Sequence, residues 1–171
     1  MKVCKNTEPM MRAFRMAEAL QLRGRHREAL RILQRVAKNR PRDFDICLLM
    51  GDILSSLEDY VAALKWYDRA MKRKPLDPAS YFCKASTLLA QDSQADRRAA
   101  ERLAKKCLAL YRKSKKNDAV ESDLFLGLLV DTLLQQGKYF EALETVKKEP
   151  DAKVRQWFNS IVRIRMRQAR Q

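Results

Sequence analysis

Apolar residues recur three and four positions apart along most of this chain, the spacing that places side chains on one face of an α-helix. The stretch EDYVAALKWYDRAMKRKP, Glu58 to Pro75, shows the pattern most fully: Tyr60, Ala63, Leu64, Tyr67, Ala70 and Met71 form one stripe. Asp59 stands where a carboxylate accepts from a free N–H of the first turn. Lys72, Arg73 and Lys74 oppose the negative end of the helix dipole, and Pro75 stops the helix. The spacing predicts a short amphipathic helix whose buried face alternates aromatics with alanines. Alanine there lets a second helix approach closely, while the aromatics fill the space beside it.

The pattern repeats 34 residues upstream, in GRHREALRILQRVAKNRP, Gly24 to Pro41. His26 aligns with Tyr60, Ala29 with Ala63, Leu33 with Tyr67, Val36 with Ala70 and Pro41 with Pro75. His26 therefore reads as a packing residue. A small residue, Ala17 or Gly51, precedes the matching alanine by 12 positions in both segments, as two tightly crossing helices require. A third unit opens on Asp77 as N-cap with Pro78 at the first helical position, and continues through Tyr81, Ala85 and Leu88. Its second helix falls out of phase: Ala100 arrives three residues late, and Leu103, Ala104, Cys107, Leu108 and Tyr111 predict a longer helix. A fourth unit follows at Leu126, Leu129, Leu133, Gly137, Tyr139, Ala142 and Val146, with Val130 in the small-residue slot and Glu149-Pro150 ending it early. Asp151 then caps a last helix with an apolar face of Val154, Trp157, Phe158, Ile161, Val162 and Met166. Stacked repeats leave open ends, so this helix is expected to cover the fourth unit with Trp157 as its lid.

This 34-residue phase, with proline in register, resembles the tetratricopeptide repeat, a helix–turn–helix unit. The matching residues of the second unit are Cys47, Met50, Gly51, Leu54, Tyr60, Ala63, Tyr67, Ala70 and Pro75. The resemblance covers roughly residues 8–150. It implies an all-α fold over a single domain, 1–171: a right-handed superhelical solenoid of about four units (8–42, 43–77, 78–117 and 118–150) and a C-terminal capping helix over 151–170. It also implies a concave groove lined by the first helix of each unit. Carried over residue by residue, a partner-binding groove would comprise Phe14, Glu18, Leu48, Leu49, Asp52, Phe82, Cys83, Ser86, Leu89, Leu128 and Asp131, with Leu124 and Gly127 beside the last two. One branch of the family grips acidic C-terminal tails with Lys, Asn and Arg. Phe14, Glu18, Leu49, Ala79 and Cys83 occupy those positions here, so no such clamp is expected. DPASYFCKASTLLAQ is also similar to a motif of the type III secretion translocator chaperones, through Asp77, Pro78, Phe82, Ala85, Leu88 and Leu89.

Composition narrows the function classes. The chain has 171 residues, 46% of them hydrophobic, and no segment approaches the ~20 apolar residues of a membrane span. MKVCKNTEPMM lacks the apolar run of a signal peptide. Cys4, Cys47, Cys83 and Cys107 are scattered without metal-ligand spacing, which suits packing in a reducing compartment. A cytoplasmic location follows as an expectation. One histidine and no phosphate-cradling glycine loop, His-Glu-x-x-His or nucleophile elbow argue against an enzyme, and no cofactor is expected.

Net charge is +15, unevenly spread: +9 over 1–42, +7 over 78–117 and +6 over 153–171, with −2 over 43–77 and −5 over 118–152. Lys105, Lys106, Lys115, Lys116, Arg163, Arg165 and Arg167 form a candidate basic patch. The leading expectation is an adaptor or scaffold that holds a helical or extended peptide in its groove, its apolar anchors on the floor and a Lys or Arg against Glu18, Asp52 or Asp131. A chaperone for a secreted protein is the second. The third is a basic repeat protein associated with nucleic acid or an acidic protein through its outer faces.

Overall fold

The computed structural model describes residues 7–91, 93–114 and 119–170. Among them are nine α-helices and no strand: α1 Thr7–Leu22, α2 His26–Asn39, α3 Phe44–Ser56, α4 Tyr60–Arg73, α5 Pro78–Ala90, α6 Gln94–Lys113, α7 Ala119–Gln135, α8 Tyr139–Lys147 and α9 Ala152–Gln168. No described helix is long and apolar enough to cross a membrane. The chain divides into two compact units, Met1–Leu76 and Asp77–Gln171.

In the first unit each helix packs on the next, and α1 also meets α3. Asp43 caps α3 by accepting from the N–H of Asp45 at 3.1 Å, and Asp59 caps α4 by accepting from Ala62 at 3.1 Å. The α3–α4 crossing is the tightest point. Gly51 is buried, and a Cβ built there would meet the Tyr67 ring at 2.4 Å. Tyr67 is itself buried, and its hydroxyl donates to Asp52 Oδ1 at 2.8 Å, which fixes the ring in place. Ala17 and Leu33 occupy the equivalent slots of the α1–α2 pair, both fully buried.

The α1–α2, α3–α4 and α7–α8 turns share one closure. The N–H of Arg25 donates to Leu20 O, that of Asp59 to Leu54 O and that of Lys138 to Leu133 O, each at 2.9 Å. This geometry needs a left-handed residue just before the donor, and Gly24, Glu58 and Gly137 supply it with φ of 73°, 62° and 71°. Glu58 holds this conformation with a Cβ, unlike the two glycines.

In the second unit α5 packs on α6 and α7, α6 on α7, α7 on α8, and α9 on both α7 and α8. Asp77 caps α5 with Pro78 in the first turn, Ser93 caps α6 through the N–H of Asp96, and Asp151 caps α9 through Lys153 and Val154. The α5–α6 turn uses this serine cap in place of the glycine-type closure, and α6 runs for 20 residues. The late Ala100 predicts this length. Phe125 of α7 meets Phe82 and Tyr111 edge-on, with centroids 5.4 and 5.2 Å apart. Val130 and Val146, both buried, stand where Gly51 and Tyr67 stand in the first unit, so a larger residue on one helix is matched by a smaller one on the other.

Gly51→Ala is expected to destabilise the protein by about 1–3 kcal/mol, because the added carbon overpacks against a pinned ring. The Gly51→Ala, Tyr67→Leu double variant, which copies the Ala17–Leu33 pair, should recover part of that loss. Urea unfolding midpoints measure both; a double variant no more stable than the single would refute the crossing as the cause.

Candidate functional site

Residues of α5, α7 and α9 line a shallow, open pocket of about 650 Å³. Leu124, Gly127, Leu128 and Asp131 lie three and four apart on α7 and so share one face. Asp123 joins them, α5 contributes Phe82, and α9 contributes Trp157 and Phe158. A Cβ on Gly127 would lie 3.4 Å from the Phe158 ring, an ordinary contact distance, so α9 sits directly over this position of α7. Trp157 meets Phe158 edge-on, with centroids 4.6 Å apart. The walls are apolar and two carboxylates stand among them. Asp131 is exposed and accepts from Gln135 Nε2 at 2.9 Å.

Trp157 does not cover the core as the sequence suggests. It is 59% exposed, while Phe158 and Val162 are buried against the neighbouring helices. Adjacent residues on a helix point about 100° apart, so only one of Trp157 and Phe158 faces inward. The inward stripe runs through Phe158 and Val162. The tryptophan that sequence reasoning assigns to packing thus becomes a wall of the pocket.

The other expected groove residues fall into the two units. In the first, Phe14 and Leu48 are half-buried and Glu18 is exposed. Leu49 is 7% exposed and belongs to the core, because α3 is covered on several sides at once. Asp52 holds the Tyr67 hydroxyl, so its carboxylate has a structural task. In the second unit Phe82, Cys83, Ser86 and Leu89 are half-buried on α5, Leu128 is at the pocket floor and Asp131 at its edge. The structure brings Phe82, Leu124, Gly127, Leu128 and Asp131 together. Asp123, Trp157 and Phe158 complete the pocket and were not expected in it.

The described residues of the candidate basic patch, Lys105, Lys106, Arg163, Arg165 and Arg167, are all exposed. Lys105 is tied to Glu101 at 2.5 Å and reaches Glu141 at 3.9 Å, and Lys106 lies over the Tyr81 ring at 4.7 Å. Lys115 and Lys116 lie outside the described residues. Arg163, Arg165 and Arg167 are exposed on α9. His26 is half-buried at the start of α2.

Two buried carboxylates of the second unit are structural. Glu101 of α6 accepts from Lys105 at 2.5 Å, Lys138 at 2.6 Å and Gln136 at 3.0 Å. Burial works to raise its pKa, but the hydrogen bonds from Lys105, Lys138 and Gln136 outweigh it and hold the carboxyl down to about 2. Such a group stays ionised across the neutral range, where a proton shuttle would need to titrate. Glu149 pairs with Arg112 at 3.4 Å, and its carbonyl accepts from Arg155 at 2.6 Å. Burial pushes the Cys107 thiol up to about 12, and its Sγ–H donates to the Pro78 carbonyl at 3.3 Å. That suits an inert core cysteine.

The sequence model of the tetratricopeptide repeat matches residues 14–78. Comparison with curated proteins finds no match. Among solved structures, PcrH in complex with the chaperone-binding region of PopD has TM-score 0.69 at 18% identity, over 80% of this chain and 99% of that one. The type III secretion translocator chaperone SycD of Yersinia enterocolitica has TM-score 0.67 at 18% identity, over 77% and 96%. A MamA RS-1 double mutant has TM-score 0.65 at 18% identity, over 94% and 96%. These likenesses show the fold, an all-α helical-repeat solenoid.

Glu101→Gln is expected to cost about 1–3 kcal/mol at pH 7, because two lysines lose a buried anion. The folded pKa of Glu101 lies below its ordinary value, so its contribution is present above pH 4.5 and lost as pH falls toward 2. The stability gap between wild type and variant, read from urea unfolding, should therefore close across that window.

Proposed function

We propose that this chain, whose residues 14–78 belong to the tetratricopeptide repeat family, is a non-enzymatic adaptor or scaffold. In this reading it holds a helical or extended segment of a partner protein against the faces of α5, α7 and α9. The observation that carries it is the exposed Trp157 beside Leu124, Leu128 and Phe82, with Asp123 and Asp131 at the same pocket. An exposed tryptophan on an apolar wall is costly in water and gains on contact with another apolar surface. The pocket is built from helices already packed together, so little ordering accompanies binding. The segment that fits has one or two large apolar residues for the walls and a Lys or Arg for the carboxylates. Within the first unit Phe14, Glu18 and Leu48 would offer the same mode of binding by themselves, and a cytoplasmic setting accords with it.

A chaperone for a secreted protein is the second reading. It is favoured by the fold likeness to SycD and to PcrH, the latter solved with a segment of its partner. In both readings α5, α7 and α9 hold a peptide. Only the partner differs.

Peptides selected from a random display library on the purified protein should share apolar anchors and a nearby Lys or Arg. Their affinity should fall at least about tenfold in Phe82→Glu and in Trp157→Ala, and survive moderate salt. Trp157→Ala should leave thermal unfolding nearly unchanged, since the side chain is exposed. Selected peptides that bind both variants as well as wild type would place the function elsewhere.

A further inference from the structure

The first unit carries a second recess of opposite chemistry. It is about 510 Å³, with an apolar floor of Ala37, Met50 and Trp66, and with Arg31, Arg35 and Lys38 of α2 around it. Trp66 is half-buried and packs on the Phe44, Cys47 and Ala70 cluster, so it is held in place. Arg69 adds a further cation, its guanidinium 4.3 Å from the centre of the Trp66 ring. No described acid pairs with Arg31, Arg35 or Lys38. Glu28, one turn before Arg31, is already held by Arg25 through hydrogen bonds of 2.7 and 2.6 Å. Three cations therefore line one small apolar recess with Arg69 beside it, and Glu28, the acid whose charge reaches Arg31, is already committed to Arg25. Mutual repulsion disfavours that arrangement, and an anionic partner relieves it.

The spacing selects the partner. Arg31, Arg35 and Lys38 are four and three residues apart, so they rise by about 6 Å and 4.5 Å along α2. Carboxylates at the same intervals on another helix have the same rises and meet the three cations together. Arginine suits this because its planar fork pairs a carboxylate through two hydrogen bonds. A nucleic-acid strand fits less well. Single-strand binding relies on aromatic faces open for base stacking, and Arg69 lies over the Trp66 ring. We propose that the recess formed by α2, α3 and α4 is a docking site for an acidic amphipathic helix. One apolar side chain of that helix enters above Met50 and Trp66, and its carboxylates pair with Arg31, Arg35 and Lys38. This site is independent of the pocket formed by α5, α7 and α9, and it stands or falls without it.

The test uses the full chain and three fluorescent probes. The first is a helical peptide of about 18 residues, long enough to hold a helix, with Glu at intervals of four and three and a Leu on the same face. The second has the same composition with its glutamates moved off that face. The third is an oligothymidylate. The first peptide should bind at least about tenfold more tightly than the second. Arg31→Gln, Arg35→Gln together should abolish that preference, while Arg163→Gln, Arg165→Gln leaves it intact. The exchanged side chains are exposed, and circular dichroism of each variant verifies that it remains folded. Equal binding of the two peptides would overturn the proposal by reducing the site to unpatterned charge. Tighter binding of the oligothymidylate, lost in the Arg31, Arg35 variant, would overturn it in favour of nucleic acid.

Discussion

The close approach of α3 and α4 is the constraint on which the first unit depends. Gly51 leaves no room for a side chain because the Tyr67 ring already fills the space, and the Asp52 carboxylate holds that ring by its hydroxyl. The other pairs meet the same requirement with other sizes: Ala17 with Leu33, and Val130 with Val146. What is kept is the combined volume at the crossing, since a core close to crystal density tolerates neither a void nor an excess carbon. Once the crossing is set, the rest of each first helix has a fixed orientation. Its remaining face is then available for recognition.

Much of the fold is legible in the sequence because helical period, capping and turn chemistry are local. Asp59, Asp77 and Asp151 read as caps and act as caps. The late Ala100 foretells a long α6. The candidate site is less legible, for two physical reasons. Trp157 and Phe158 are adjacent and both apolar, so composition does not say which faces inward; the stripe through Val154, Phe158 and Val162 would have favoured Phe158. Leu49 looks like a groove residue when α3 is viewed alone, and becomes core once other helices cover that side. The recess under Arg31 and Arg35 draws on three helices, with Met50 and Trp66 far from α2 in sequence. Periodicity within any one helix carries no sign of it.

The charge of the protein has two different physical roles. Lys105, Lys138 and Arg112 are turned toward buried carboxylates, where they satisfy Glu101 and Glu149. Isolated, either acid would be expensive to bury. Among the described residues, the cations of α2 and the last turns of α9 pair with no buried carboxylate. A net charge of +15 is therefore a poor guide to function by itself. The informative quantity is which cations remain after the internal pairs are made.

The two units also differ in how far along the chain their fixing contacts reach. In the second, Glu101 is joined to Lys138 and Arg112 to Glu149, each across 37 residues. In the first, the 34-residue phase is intact and the crossing contacts span one helix pair. The first unit is thus modular in the engineering sense. A copied segment of one period, spliced between Pro41 and Arg42, would offer its neighbours the same faces they already meet. The second is a closed assembly, in which an inserted period would separate acid from base.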